Sequence, residues 1–461
     1  MLIVAVILYF LITLIIGFVA NRRIANTGDF INTGRNLHPV VNTAALFALW
    51  FGSETIFGAS SEFADSGFLG VIEDPFGGVL CLLIVGLVYS RKLYRHNVYT
   101  IGDIFRKHYG VRTEYISSLL MIVSFFGYAG AQMVALGLIV QVLTGMGLGL
   151  SMVMSAMVVI IYTFTGGMWA VSLTDFVQSI LIVTGLIVIG WMITGEAGSP
   201  QKVIQSIPDE HLRFFPDDGV LSWVNWFAAW MVLGVGSVVS QDIFQRVNSA
   251  RSENAAYYST LAGAGIYLVL AMLPLYLVAA IRIIDPTILE GDLQLALPVL
   301  VQQTMPEWVQ ILFFGSLLSA IMSTCSGALL APASLLSENI LKHNYIKNLN
   351  EKQSLRLTRI CVLIVGAISL GMAFGSQNIF HLVGEASIFG LVSIFVPFTA
   401  ALFFNNKSVK GAMTSMIAGS MVWALFNYII EIPIEALVPG LIASFLGLIA
   451  GTAFDRDNSM G

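Results

Sequence analysis

The sequence predicts an all-α polytopic membrane protein with thirteen transmembrane helices. Of the 461 residues, 57% are hydrophobic and only 11% are charged, whereas soluble proteins carry about 25% charged residues. Apolar stretches of about 20 residues, the length that crosses a bilayer, recur along the whole chain. The basic residues then fall almost entirely on one of the two membrane sides that these stretches define. A water-soluble globular protein is therefore excluded.

The thirteen apolar stretches are bounded by Gly, Pro, Asn or charged residues, which mark where each helix leaves the membrane. We number them as predicted spans one to thirteen. In chain order they cover residues 1–20, 39–63, 70–90, 114–142, 149–166, 174–195, 220–243, 256–281, 307–336, 357–376, 379–405, 410–430 and 433–453.

The positions of Lys and Arg predict the orientation in the membrane. All but three of the 22 basic residues lie on one side of this assignment, and Arg246 is counted there. The three exceptions are Lys202, Arg213 and Arg282. Because basic residues are retained on the cytoplasmic side, we expect an N-terminus outside and a C-terminus in the cytoplasm, in the cell inner (plasma) membrane.

Composition also excludes several functional classes. The net charge of −5 is spread through the loops, which argues against a nucleic-acid partner. Cys81, Cys325 and Cys361 lie in apolar stretches without the spacing of a disulfide or metal site. The sequence contains no phosphate-binding G-x-x-x-x-G-K-[ST] string. It places no histidine at mid-membrane, which argues against an intramembrane enzyme.

Two spans contain residues that interrupt a helix. The second span carries Gly52 and Glu54 at mid-depth, and the seventh carries Gly234 and Gly236. Glycine weakens a helix by about 1 kcal/mol relative to alanine, and a mid-span carboxylate should face a cavity or a partner. The two spans lie five apart, which predicts two five-helix halves of opposite orientation and a transport site at the bilayer midplane. Close helix packing is the alternative for each glycine.

This pattern predicts five regions. They are an additional N-terminal helix with an inner loop (1–38), a first five-helix repeat (39–196), an external loop (197–219), a second, inverted five-helix repeat (220–405), and two additional helices with a short cytoplasmic tail (406–461).

The ninth span presents oxygen atoms on one face. Ala320, Ser323 and Thr324 are spaced i, i+3 and i+4, which places a carbonyl and two hydroxyls together. A sodium ion prefers about five or six oxygen ligands, and the carbonyls of a neighbouring broken helix would supply the others. The alternative is that both hydroxyls bond back to their own helix.

Two strings resemble the signature regions of a known family. TGGMWAVSLTDFVQ (165–178) and QDIFQRVNSAR (241–251) look like those of the sodium:solute symporter family, which includes proline, sugar, sialic acid and choline carriers. WFGSETIFG (50–58) is similar to the first broken helix of choline-type members. The resemblance implies the leucine-transporter fold, with substrate between the two broken helices.

The resemblance also implies a sodium site. Carried over by position, it would use the carbonyls of Ala48 and Phe51, the carbonyl of Ala320, and the hydroxyls of Ser323 and Thr324.

The same resemblance gives Asp175 a role on the inner sodium route or in a further sodium site. The alternative for Asp175 is a helix-start carboxylate after Thr174. Some family members build the further site with two more hydroxyls on the ninth span. Here Ser326 supplies one of them, but Gly327 stands at the other position.

The solute should bear positive charge. Glu54 and Glu385 are mid-span carboxylates without an obvious intramembrane Lys or Arg partner, so a cation or a proton must neutralise them. We therefore expect an amine or a quaternary ammonium compound. The candidate cation–π faces are Trp50, Phe51, Phe227 and Trp230. The alternatives are a protonated Glu54 that links two helices, and aromatic residues that face lipid or the core.

These observations predict a sodium-coupled secondary active symporter that imports a small organic solute by alternating access. Its partners would be the solute, the sodium ion and the lipid bilayer. A proton-coupled symporter of the same fold remains the alternative, with Glu54 or Glu385 carrying the proton, and an intramembrane enzyme is the competitor from another class. The sequence leaves the oligomeric state open.

Overall fold

The chain is helical almost throughout in the computed structural model, as predicted. Within the described residues, one isolated bridge joins Leu37 to Ala250. The described residues are 2–217, 219–346, 348–375, 379–404 and 407–457.

The helices follow one another with short connections. In chain order the α-helices are α1 (Leu2–Asn21), α2 (Thr27–Asn32), α3 (Pro39–Trp50), α4 (Ala59–Ser66), α5 (Gly78–Ile84), α6 (Ser90–His96), α7 (Ile101–Tyr109), α8 (Val111–Thr144), α9 (Leu148–Ala197), α10 (Pro200–Gln205), α11 (Val220–Gly234), α12 (Gln241–Ser249), α13 (Glu253–Ile284), α14 (Ala296–Thr304), α15 (Glu307–Leu335), α16 (Glu351–Ala373), α17 (Ile379–Gly390), α18 (Val396–Phe404), α19 (Val409–Tyr428) and α20 (Leu437–Asp457).

Wider or tighter helical turns extend several of these helices. The π-helical turns are Glu54–Gly58, Ile72–Gly77, Val85–Tyr89, Leu336–Lys342 and Leu391–Phe395. The 3-10 turns are Thr33–Arg35, Gly67–Leu69, Gly236–Val239, Pro286–Glu290 and Leu293–Leu295.

The number of membrane spans differs from the sequence count. Within the described residues, ten helices are long and apolar enough to cross a bilayer, or eleven if one bent pair forms a single span. The predicted count of thirteen is therefore not confirmed. One structural feature contributes to the difference: α9 runs as one helix through the predicted fifth and sixth spans.

A kink at one glycine divides α9. The helix has 50 residues, about 75 Å at 1.5 Å per residue, whereas the hydrocarbon core is about 30 Å thick. Gly167 has a left-handed φ of 47°, and a Cβ there would lie 2.5 Å from the Phe30 carbonyl oxygen. Glycine is required at this position for both reasons. The helix after Gly167 then runs without interruption through Asp175.

Helix α15 forms the centre of the bundle. In the span Glu307–Lys342, 83% of the apolar stretch is buried within the protein. The corresponding share in the other described spans is 22–61%. It packs against α1, α3, α8, α9, α12 and α16. The predicted oxygen face of the ninth span is therefore directed at protein rather than at lipid.

The predicted external loop 197–219 is not entirely loop. It contains the short helix α10, which Ser199 caps through its side chain and in which Pro200 occupies the first turn. Both residues are typical of a helix start. The sequence predicted an external loop here because the six residues of α10 are too few to produce an apolar periodicity.

Candidate functional site

The first predicted break lies between α3 and α4. Helix α3 ends at Trp50, Phe51 has non-helical angles (φ −83°, ψ 70°), and the helical axis bends by 48°. The Gly52 N–H donates to the Trp50 carbonyl at 3.0 Å, and the Ser53 N–H donates to the Gln132 side chain at 3.2 Å. In a regular helix these two donors would bond to the fourth residue before each. Two backbone carbonyls therefore lose their helical partners.

Those two carbonyls meet a threonine of α15. The Thr324 hydroxyl lies 3.2 Å from the Ala48 carbonyl oxygen and 3.1 Å from that of Leu49. It is also 3.3 Å from the Ala320 carbonyl oxygen of its own helix. A Cβ on Gly52 would lie 2.7 Å from the Thr324 hydroxyl oxygen. The approach of α15 to the break thus depends on the missing side chain of Gly52.

These four oxygens form what we call the oxygen cluster: the carbonyls of Ala48, Leu49 and Ala320 and the hydroxyl of Thr324. All four residues are buried. The cluster contains neither a thiolate nor an imidazole, so its chemistry fits a hard monovalent cation such as Na⁺. The structure brings together three of the predicted residues. Phe51 marks the break, but the Leu49 carbonyl takes the place beside Thr324 that was predicted for Phe51.

Ser323, the neighbouring hydroxyl residue, contacts a carboxylate instead. Its hydroxyl donates to Asp175 Oδ1 at 2.5 Å. Ser326, predicted as one hydroxyl of a further sodium site, bonds back to the Ser323 carbonyl of its own helix at 2.8 Å. Asp175 lies well inside the second part of α9, and the Thr174 hydroxyl bonds back within that helix. The interpretation of Asp175 as a helix-start carboxylate was therefore wrong.

Arg246 is a buried member of this site that the sequence analysis missed. Its guanidinium forms an ion pair with Asp175 at 3.2 Å, and both side chains are 0% exposed. It also donates to the Ala45 carbonyl of α3 at 2.9 Å. The sequence count placed Arg246 among basic residues at the cytoplasmic surface, and the structure corrects this. Its position in the family-like string QDIFQR was the available signal.

The second predicted break lies between α11 and α12. Helix α11 ends at Gly234, a 3-10 turn follows, and Ser240 is extended (φ −76°, ψ 128°) before α12 begins. A Cβ on Gly236 would lie 2.5 Å from the Ser387 carbonyl oxygen of α17. The glycine therefore permits close packing as well as the interruption. Both breaks predicted from mid-span glycines are present.

A cavity lies between the two breaks. Helices α8 and α17 complete its wall. Its lining residues are Leu49, Trp50, Glu54, Met121, Ser124, Phe125, Tyr128, Leu233, Gly236, Ser237, Val239, Ser240, Asp242, Ile243, Val383, Ala386, Ser387 and Gly390. The walls are thus largely apolar and aromatic, with a few polar groups, as is typical of a small-molecule site.

Glu54 faces this cavity and also links two helices. Its Oε2 accepts hydrogen bonds from Gln132 of α8 at 2.9 Å and from Ser53 at 3.4 Å. Its Oε1 lies 3.5 Å from the Tyr128 hydroxyl. The position of Glu54 therefore allows both predicted roles, as a solute ligand and as a link between helices.

Asp242 is a second cavity carboxylate that the sequence analysis missed. It stands in the first turn of α12, and its Oδ1 accepts from the Ser240 hydroxyl at 2.5 Å and from the Ile243 N–H at 2.7 Å. Its signal in the sequence was its place two residues after the break. One carboxylate from each broken helix therefore lines the cavity.

Four predicted solute residues, Phe51, Phe227, Trp230 and Glu385, lie outside the cavity lining. Phe227 is 56% exposed on α11, and Trp230 makes a tilted ring contact with Phe76 and edge-on contacts with Phe214 and Trp226. The prediction failed for these two because aromatic spacing alone does not select the inward face.

Glu385 is directed away from the cavity too. It accepts hydrogen bonds from Asn427 at 2.9 Å and from Tyr428 at 3.0 Å, both on α19. The cavity face of α17 consists instead of Val383, Ala386, Ser387 and Gly390, the i, i+3, i+4, i+7 positions of a single helix face. Glu385 therefore connects two helices in this structure.

Comparison with known sequences decides the family. The model of the Sodium:solute symporter family matches residues 30–419, a range that includes both breaks, the oxygen cluster and both cavity carboxylates. The chain belongs to the sodium:solute symporter family. Its family relatives are transporters, and the chain is a membrane transport protein rather than an enzyme.

Curated relatives within this family differ in solute. The chain is 26% identical over 446 residues to the high affinity choline transporter 1 of Homo sapiens, covering 90% of this chain and 75% of the relative. It is 25% identical to the high-affinity choline transporter 1 of Caenorhabditis elegans, covering 90% and 76%. It is 27% identical to the high-affinity proline transporter PutP of Bacillus subtilis (strain 168), covering 94% of each chain.

Solved structures confirm the fold. A Na⁺-coupled sialic acid symporter in a substrate-bound outward-open state superimposes with a TM-score of 0.81 at 18% identity, covering 97% of each chain. The nucleobase-cation-symport-1 family transporter Mhp1 superimposes with a TM-score of 0.65 at 16% identity, covering 93% of this chain and 95% of that one. The chain is an all-α membrane protein of the leucine-transporter fold.

Proposed function

We propose that this symporter couples the entry of Na⁺ to the uptake of a small organic cation, a quaternary ammonium compound or a protonated amine, by alternating access. The observation that carries the proposal is the cavity between the breaks, in which Glu54 and Asp242 stand among aromatic side chains. The choline transporters among the relatives support this class of solute.

The charges around the cavity favour a cationic solute. Arg246 is the nearest buried basic residue, and its charge is balanced by Asp175. Within the described part of the chain, neither Glu54 nor Asp242 forms an ion pair. Ionised carboxylates in such a site require a compensating charge. A cationic solute supplies it, and the faces of Trp50 and Tyr128 would add cation–π attraction.

The first break provides a physical link between ion and solute. Ala48 and Leu49 contribute carbonyls to the oxygen cluster, while Trp50 and Glu54, a few residues later, line the cavity. An ion in the cluster would hold α3 against α15 and so fix the position of the cavity wall. By linkage, the solute then strengthens Na⁺ binding as much as Na⁺ strengthens solute binding. Separation of α3 from α15 would release both.

Uptake by purified protein in liposomes tests this proposal. We expect a sodium gradient to drive accumulation of choline, used as the quaternary ammonium probe, and not of proline, used as the zwitterionic probe. Glu54→Gln and Asp242→Asn should each lower kcat/KM for choline at least about tenfold, equivalent to about 1.4 kcal/mol. Glu385→Gln is the matched control, since this carboxylate lies outside the cavity, and it should leave uptake unchanged.

Two results would contradict the proposal. Uptake of proline in preference to choline would remove the requirement for a positive charge. Equal losses from Glu385→Gln and from the two cavity variants would show that a general loss of folding, rather than cavity charge, explains the effect.

Proton coupling is the second candidate, and a buried carboxylate favours it. Asp74 is fully buried next to the first break and accepts a hydrogen bond from Thr55 at 2.8 Å and another from Tyr267. Hydroxyl donors alone do not balance the charge of this carboxylate, and in this candidate mechanism a proton from solution neutralises it. Uptake driven by a pH gradient in sodium-free buffer would favour this candidate over sodium coupling.

The remaining topology stays a prediction. We propose, together with this mechanism, two halves at 39–196 and 220–405. We also propose an external N-terminus, a cytoplasmic C-terminus and a location in the plasma membrane. They are consistent with breaks at corresponding places in two halves.

A further inference from the structure

Arg246 lies where three other helices meet α12. Its Nε donates to the Ala45 carbonyl of α3 at 2.9 Å, and its Nη2 donates to Asp175 Oδ2 of α9 at 3.2 Å. Its Nη1 lies 3.4 Å from the Asp242 carbonyl of its own helix. The side chain is fully buried. A positive charge is therefore held permanently at the centre of the bundle.

A glycine of α15 provides the space for this guanidinium. A Cβ on Gly327 would lie 2.9 Å from Arg246 Nη1 and 3.0 Å from Nη2. Gly327 follows Ser323 by one helical turn, so both lie on the same face of α15. Even the smallest side chain at this position would have to displace the guanidinium.

The guanidinium balances a carboxylate that lies next to the oxygen cluster, the proposed sodium site. Asp175 uses Oδ2 for Arg246 and Oδ1 for the Ser323 hydroxyl, which lies 2.5 Å away. A buried carboxylate beside a hydroxyl is a set of hard oxygen ligands, and such a set binds small cations when its charge is not already balanced. Here a covalently attached cation balances that charge.

We infer that Arg246 takes the place of a second sodium ion beside Ser323 and Asp175, so that the protein binds a single Na⁺, at the oxygen cluster. The inference rests on the sodium coupling proposed above. Because the guanidinium is attached to α12, it moves with the protein and is not released with the solute. It compensates Asp175 but contributes nothing to the energy drawn from the sodium gradient.

Removing the positive charge should create a second ion site. In Arg246→Gln, Asp175 is left with Ser323 and without a cation, which leaves an uncompensated buried charge. We expect this variant to bind two Na⁺ where the unaltered protein binds one. Arg246→Lys is the control that keeps the charge, and it should bind one. Arg246→Gln combined with Asp175→Asn removes both charges and should also bind one.

The measurement is equilibrium binding of radioactive ²²Na⁺ to the purified protein in detergent, with the thermal midpoint of each variant recorded to confirm folding. It needs no transport activity. Two Na⁺ bound by the unaltered protein would overturn the inference while leaving sodium coupling intact. No Na⁺ bound by the unaltered protein would contradict sodium coupling itself, and the inference with it.

The variants decide the role of the guanidinium. A folded Arg246→Gln that binds only one Na⁺ would also overturn the inference, since the uncompensated carboxylate would then attract no ion. If this variant does not fold, the decision rests on the unaltered protein, where one bound Na⁺ supports the inference and two overturn it.

Discussion

The two broken helices use their interruptions in different ways. At the first break, the Gly52 and Ser53 N–H groups bond elsewhere, and the carbonyls of Ala48 and Leu49 turn to Thr324. At the second break, 3-10 bonds fill the interruption: the Val238 N–H bonds to Val235 at 3.2 Å and the Ser240 N–H to Ser237 at 3.0 Å. The first break presents backbone dipoles beside the carboxylate of Glu54, whereas the second presents the side chains of Asp242 and Arg246.

This difference suits two kinds of partner. Carbonyl dipoles attract a small cation without a full negative charge, so an ion can leave them again. Asp242 and Arg246 after the second break carry full charges, which suit a charged solute and a permanent ion pair. In the proposed mechanism the carbonyls of the first break therefore bind the sodium ion, and the second break adds the carboxylate of Asp242 to that of Glu54 around the solute.

The largest expected effect comes from Thr324→Val, which removes the hydroxyl of the oxygen cluster but keeps the shape of the side chain. Loss of one ligand oxygen should raise the Na⁺ concentration for half-maximal uptake by at least about tenfold, or about 1.4 kcal/mol. Solute affinity at saturating Na⁺ should change little. The measurement is the sodium dependence of choline uptake at saturating choline.

Thr163→Val is the matched control for this variant. Thr163 is a buried threonine of α9 whose hydroxyl has no hydrogen-bond partner among the described residues, so its replacement should leave sodium dependence unchanged. An unaltered sodium requirement in Thr324→Val would remove the oxygen cluster from the mechanism, and with it the contrast between the two breaks.

A smaller effect is expected from Gly52→Ala, which tests the approach of α15 to the first break. The added Cβ would lie 2.7 Å from the Thr324 hydroxyl oxygen and 2.8 Å from Glu54 Oε2. Thr324 must then shift by a few tenths of an ångström, so we expect about a threefold to tenfold higher Na⁺ requirement, or about 0.7–1.4 kcal/mol. Gly265→Ala is the control, since no other described part of the chain lies within 4 Å of the added atom. Equal sodium requirements in the two variants would show that close approach at Gly52 is not needed.

The sequence predicted the parts of this site that depend on local chemistry. Mid-span glycines marked both breaks, and the i, i+3, i+4 spacing of Ala320, Ser323 and Thr324 placed oxygens on one face of α15. These features follow from helix geometry, which a single segment determines. The division of labour between the breaks does not, because it depends on which backbone groups find partners elsewhere in the fold.

The parts that failed depend on distant contacts. Arg246 stands just after a predicted span, where a basic residue normally faces the cytoplasm. Its burial is explained by the ion pair with Asp175 and the hydrogen bond to the Ala45 carbonyl. Trp230 and Glu385 are residue types that bind cations, but both lie on helix faces outside the cavity lining. Hydrophobicity is high on every face of a membrane helix, so periodicity gives little indication of the inward side.

The smallest expected effect comes from Ser240→Ala at the second break. The Ser240 hydroxyl donates to Asp242 Oδ1 at 2.5 Å, but the Ile243 N–H also donates to that oxygen at 2.7 Å and would still hold it. We therefore expect KM for choline at saturating Na⁺ to rise about twofold to fivefold, or about 0.4–1 kcal/mol. The sodium requirement at saturating choline should not change. Ser420→Ala, which removes a hydroxyl that donates to the Met416 carbonyl within α19 at 2.8 Å, is the control. A shift of the sodium requirement as large as the shift in KM would mean that the second break also shapes the ion site, and the two breaks would then share one function.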